Sequence, residues 1–132
     1  MKANKLMIGD YVIRKNVPKE ILIVDTIDSI RDIVYLDLDG LGITEKLENI
    51  KPIPLTAEIL EKNGFIKQAY DGWLISVDNG RGQIEYRKDY FNGLLRIDYN
   101  KKPFSKLMIK VKYVHELQHA LRLCNINKEI IL

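Results

Sequence analysis

Turn pairs recur along this 132-residue chain, many of them about ten residues apart, and no other feature limits its fold so tightly. Gly9-Asp10, Asp39-Gly40, Asp71-Gly72, Asp78-Asn79-Gly80 and Asn92-Gly93 all join residue types that tolerate a positive φ or close an Asx turn. Between them lie apolar segments short enough to be strands. Tyr11-Val12-Ile13 and Ile21-Leu22-Ile23-Val24 are rich in β-branched residues, and Val34, Leu36 and Leu38 alternate with Tyr35, Asp37 and Asp39. That alternation is the period of two of a half-buried strand.

Residues 1–52 are therefore predicted to form four or five short strands, in a spacing that resembles an SH3-like barrel. Pro52 and Pro54 close this section, since proline cannot donate within a central strand. Thr56 is placed to cap a short helix from Ala57 to Asn63, Gly64 to end it, and Leu55 and Leu60 to form a hydrophobic staple. Then Phe65–Tyr70, Trp73–Val77, Ile84–Arg87 and Leu94–Tyr99, separated by turn pairs, predict an antiparallel meander. Residues 106–112 admit two readings. Leu107, Ile109 and Val111 alternate like a strand, while Ser105 could cap a long helix.

The clearest helix spans 113–124. Val114, Leu117, Leu121 and Cys124 fall on one side at helical spacing, Tyr113 and Ala120 lie beside them, and Asn125 suits a left-handed helix end. Ile130-Ile131-Leu132 could add a last strand. The expected fold is α+β, with barrel-type strands in a 1–52 subdomain, then a linking helix, the meander and its packing helix in a 53–132 subdomain. Those two parts can still share one core.

With 46% hydrophobic and 30% charged residues the chain can bury a core, which excludes intrinsic disorder. No apolar run approaches the roughly 18 residues of a membrane span, and no apolar block follows Lys2 and Lys5 as in a signal peptide. The single cysteine, Cys124, excludes an internal disulfide and a multi-cysteine zinc site. A cytoplasmic setting and no membrane partner are expected. The net charge of +3 is uneven: residues 1–64 hold 9 Lys/Arg against 11 Asp/Glu, and residues 65–132 hold 12 against 7.

His115-Glu116-Leu117-Gln118-His119 is a literal H-E-x-x-H on the predicted helix. Histidines at i and i+4 can share a zinc ion while the glutamate activates its water as general base. A catalytic zinc needs a third protein ligand, however, and the chain has only these two histidines. Turning by about 100° per residue places both near Gln118 and Arg122, on a polar face that includes a cation. An ordinary amphipathic helix accounts for this pattern without a metal.

Arg81, Arg87, Lys88, Arg96, Lys101 and Lys102 are interleaved with Tyr86, Tyr90, Phe91, Tyr99 and Phe104, the mixture used to bind single-stranded nucleic acid. Alternation within a meander would instead bury the rings and solvate the cations. Asp37 and Asp39 could share a strand face and hold Mg²⁺, although a solvated face is the simpler reading. Gly80-Arg81-Gly82 is too short for a phosphate loop. Cys124 reads as a buried small hydrophobe and Trp73 as core.

Two blocks, Ile53-Pro-Leu-Thr-Ala-Glu-Ile-Leu-Glu-Lys-Asn-Gly-Phe65 and Tyr113-Val-His-Glu-Leu-Gln-His-Ala-Leu-Arg-Leu-Cys124, together resemble short uncharacterised bacterial proteins associated with prophages and other mobile elements. The resemblance implies a packing signature in the second block and assigns no catalytic residue. The function expected is a non-enzymatic accessory or binding module without a cofactor, whose partner is a protein or a nucleic acid. The alternative is a peptidase-like zinc hydrolase with His115 and His119 as ligands and Glu116 as base.

Overall fold

The turn pairs set the architecture. In the computed structural model, which describes residues 1–88, 93–99 and 106–132, the chain is α+β, and the described residues form two antiparallel five-stranded sheets and two α-helices. It divides into two units, Met1–Pro54 with Tyr113–His115, and Leu55–Lys112 with Glu116–Leu132.

The first unit contains β1 (Tyr11–Arg14), β2 (Ile21–Asp28), β3 (Ile33–Leu38), β4 (Leu41–Lys46) and β5 (Ile50–Pro52), in the order β4-β3-β2-β1-β5. Asp39 (φ 50°) and Gly40 (φ 87°) both enter the left-handed region, so β3 and β4 are joined by a two-residue turn whose twist suits a hairpin. Asp39 therefore sits in the turn and not beside Asp37 on a strand face. In β2 the register passes from Val24↔Leu36 to Thr26↔Tyr35, leaving Asp25 as an extra residue. β3 pairs with β2 on both sides of this bulge, whereas β1 pairs only with the residues before it.

A 3-10 turn at Leu47–Asn49 reverses the chain, and β5 returns to pair with β1, placing Pro52 on an edge strand where a missing N–H is tolerated. Leu6, Val12, Leu22, Val24, Val34, Leu36, Leu47 and Ile50 form the core. The sheet is open, with β4 and β5 at its edges, so the closure expected of a barrel is not present among the described residues. Pro54 bridges to Tyr113, and the Val114 N–H donates to the Ile53 carbonyl at 2.9 Å.

The second unit opens with α1 (Ala57–Lys62), built as its caps require. Thr56 Oγ1 accepts from the Ile59 N–H at 3.3 Å. At the other end Gly64 is left-handed (φ 86°), its N–H donates to the Glu61 carbonyl, and the Phe65 N–H donates to the Leu60 carbonyl. These two bonds make a Schellman motif. The meander follows as β6 (Ile66–Lys67), β7 (Gly72–Val77), β8 (Gly82–Arg87), β9 (Leu94–Tyr99) and β10 (Lys106–Lys110), each strand after β6 paired with its predecessor. Residues 106–110 are thus strand, with Leu107 opposite Ile97 and Ile109 opposite Leu95. Ser105, the alternative helix cap, lies outside the described residues.

One face of this sheet carries Trp73, Ile84, Tyr86, Leu95 and Ile97, all buried. The final helix, α2 (Val114–Leu123), ends in a second Schellman pair around left-handed Asn125 (φ 56°): Asn125 N–H to Arg122 carbonyl and Ile126 N–H to Leu121 carbonyl. Ile130–Leu132 does not become a strand. The Asn63 side chain takes the place of a partner strand: its Oδ1 accepts from the Ile131 N–H at 2.8 Å and its Nδ2 donates to the Ile131 carbonyl at 2.7 Å. Among the described residues no helix is long and apolar enough to cross a membrane.

Candidate functional site

The H-E-x-x-H motif opens α2, and its glutamate is the third helical residue. At that position a carboxylate can turn back toward the backbone that enters the helix. Glu116 Oε2 does so, accepting from the Lys112 N–H at 2.7 Å. Just upstream, the Val111 carbonyl accepts from the Tyr86 hydroxyl at 3.2 Å, and the Val111 N–H donates to the Gly93 carbonyl at 2.8 Å. Glu116, Tyr86 and Gly93 thus fix the segment that leads into the helix.

Burial first, then the negative charges of Glu116 and Asp71, hold the Tyr86 phenol above its ordinary value. Because the folded value is the higher one, folding favours the protonated phenol. That contribution is complete below the unfolded value of about 10 and is lost as pH rises through the folded one. Unfolding free energy followed by urea titration is expected to fall above about pH 10, and Tyr86→Phe is expected to flatten part of the fall. An unchanged alkaline slope in the variant would refute the assignment.

His115 is 3% exposed, its ring stacked on Tyr113 with centroids 5.8 Å apart and planes 16° apart. Gln118 is buried as well. Both findings correct the polar face expected from the helical wheel, which placed the two histidines together toward solvent. Arg122 and Leu123 are the exposed residues of the helix, and Glu116 and His119 are half-buried. The wheel counts polarity, whereas an imidazole and a carboxamide have enough apolar body to be buried.

For zinc hydrolysis the glutamate would have to face a metal-bound water and both imidazoles would have to converge on the metal with a third ligand. Here the glutamate faces a backbone N–H and His115 is stacked within the fold. Among the described residues no group of three or more His, Cys, Asp and Glu side chains is gathered as a metal site. Cys124 is half-buried and not fully buried as expected, because it follows the last turn of α2, and burial pushes its thiol up, away from the reactive thiolate.

The structure divides the predicted nucleic-acid residues. Arg81 and Lys88 are exposed at opposite ends of β8. Arg87 and Arg96 share the outer face of the second sheet, the one opposite Trp73 and Tyr86. There the Arg87 guanidinium lies 4.6 Å from the centre of the Tyr70 ring, while Arg96 reaches Glu85 at 3.5 Å and Asp98 at 3.3 Å. Lys101, Lys102, Tyr90, Phe91 and Phe104 lie outside the described residues. Tyr86, one of the rings proposed for base stacking, is core.

The sequence reading passed over Tyr70. Its ring occupies the space above Gly72, where an added Cβ would come within 2.4 Å of a ring carbon, and its hydroxyl donates to Glu85 at 3.1 Å. A glycine two residues after an aromatic at a strand start was the available signal. In the first unit, an open depression of about 640 Å³ is lined by Lys2, Arg31 and Lys46 but also by Asp32 and Glu48, so its charge selects no polyanion. Compared with models of protein families, with curated proteins and with solved structures, the chain matches none of them.

Proposed function

We propose that this protein is a non-enzymatic binding module acting in the cytoplasm as an accessory of a prophage or other mobile element, with another protein as its partner. The observation that carries the reading is the Glu116 carboxylate, which accepts from the Lys112 N–H at 2.7 Å and so ties α2 to the segment that enters it. A protein partner is favoured over nucleic acid because Arg87 and Arg96 already engage Tyr70, Glu85 and Asp98 of their own chain. The first unit is read as a partly opened SH3-like module. Supporting this are its four-stranded meander, the 3-10 turn at Leu47–Asn49, the return of β5 to β1 and the bulge that bends β2. A fold of this kind names no ligand, and the functional reading does not depend on it.

The test is made on the motif itself. Glu116→Ala is expected to cost about 1 kcal/mol, a fall in melting temperature of roughly 3–5 °C, while Glu116→Gln retains an acceptor oxygen and most of the stability. Added zinc should leave the wild-type melting temperature unchanged. A zinc-dependent rise that disappears in His119→Ala would overturn the reading. It would restore the alternative, a peptidase-like zinc hydrolase with His115 and His119 as ligands and Glu116 as general base.

A further inference from the structure

The outer face of the second sheet carries a row of side chains running straight across five strands. Cross-strand register places Ile66 beside Leu74, Leu74 beside Glu85, Glu85 beside Arg96 and Arg96 beside Met108. Read from either end, the row is apolar at its flanks with one acid and one base side by side in the middle. Its flanks are open, Ile66 being 69% and Met108 59% exposed. We propose that this face binds a second copy of the same chain, forming a symmetric dimer with its two-fold axis parallel to the strands and passing between β8 and β9.

The choice of occupant follows from charge complementarity. That axis carries each side chain onto its mirror position in the row. Glu85 of one chain comes over Arg96 of the second copy, and Arg96 over its Glu85. Leu74 comes over Met108, so apolar flank meets apolar flank. The neighbouring rows behave alike, because Arg87 is registered with Leu94 and Gln83 with Asp98. Arg87 therefore meets a leucine and Asp98 an amide, and no like charges are opposed. An in-plane axis perpendicular to the strands would set Glu85 over Glu85 and Arg96 over Arg96, which Coulomb repulsion disfavours. Two sheets packed about 10 Å apart can interdigitate such faces.

This dimer is independent of the reading given to α2, and sedimentation equilibrium of the full chain tests it. The wild type should move from the 15.4 kDa mass toward twice that value as concentration rises. Met108→Lys should weaken the dimer by about tenfold or more, whereas Ile66→Glu, on a strand that faces no partner strand in this geometry, should leave it unchanged; both sites are exposed, so thermal melts should show the fold retained. Glu85→Arg and Arg96→Glu should each remain monomeric, yet an equimolar mixture of the two should associate, since every facing pair is then opposite in sign. The proposal is overturned if the wild type keeps the single-chain mass at all concentrations or if Met108→Lys leaves its association unchanged. It fails equally if two folded charge variants associate no better mixed than apart.

Discussion

Gly93→Ala is expected to destabilise the protein by about 3 kcal/mol or more, the sum of left-handed strain and a clash with fixed groups. Gly93 has φ 104°, outside the range that side chains tolerate. A Cβ there would stand 2.4 Å from the Val111 carbonyl oxygen and 2.6 Å from the Tyr86 hydroxyl oxygen. Neither neighbour yields easily. The carbonyl is backbone and already accepts the Tyr86 hydrogen bond, and the Val111 N–H is tied to the Gly93 carbonyl. Relief would break at least one buried hydrogen bond, each worth about 1–3 kcal/mol when a partner is left behind.

The urea midpoint measures the total, and Tyr86→Phe divides it. Removing the hydroxyl relieves the contact with the phenol oxygen but not the one with the carbonyl, so most of the Gly93→Ala penalty should persist in the Tyr86→Phe background. A midpoint equal to that of wild type would show that the loop adapts and that the junction leading into α2 is less rigid than its contacts imply. Because that junction positions Glu116, the same variant is also expected to weaken the Glu116–Lys112 hydrogen bond.

The parts of this fold that could be read in the sequence are those determined by neighbours along the chain. Asp39-Gly40 became a hairpin turn and Thr56 with Gly64 bounded α1, because capping and left-handed backbone are local properties of the residues concerned. The strand at 106–110 stayed ambiguous for the opposite reason. Its hydrogen bonds belong to β9, and a strand is decided by the neighbour it finds. The H-E-x-x-H motif shows the same limit at a candidate site. Its spacing was legible, as was the lack of a third histidine, but the burial of His115 under Tyr113 and the contact of Glu116 with Lys112 depend on what surrounds the helix. Arg87 and Arg96 were legible as cations, and their acidic and aromatic neighbours only through strand register.

Asn63 is the residue whose role no local pattern announced, and its loss is expected to be nearly as costly as that of Gly93. At the end of α1 it is 6% exposed, and its amide makes three hydrogen bonds: Nδ2 to the carbonyls of Ile59 at 2.8 Å and Ile131 at 2.7 Å, and Oδ1 from the Ile131 N–H at 2.8 Å. The Ile131 backbone is thereby held as in a sheet, and Ile130 beside it is buried. Asn63→Leu removes all three bonds and is expected to cost about 2–3 kcal/mol, less than three full penalties because water can reach part of the segment.

Asn63→Asp separates hydrogen bonding from packing. The carboxylate still accepts from the Ile131 N–H but faces two carbonyl oxygens where the amide donated, so folding favours its protonated form and raises its folded value above the usual carboxylate range. Stability is then present at low pH and lost as pH rises through that folded value. The aspartate variant should therefore approach wild type in acid and fall toward the leucine variant near neutrality. Hydrogen exchange at the Ile131 amide should accelerate most in the leucine variant. If the aspartate variant showed the same deficit at every pH, the two carbonyls would not be the groups that Asn63 serves.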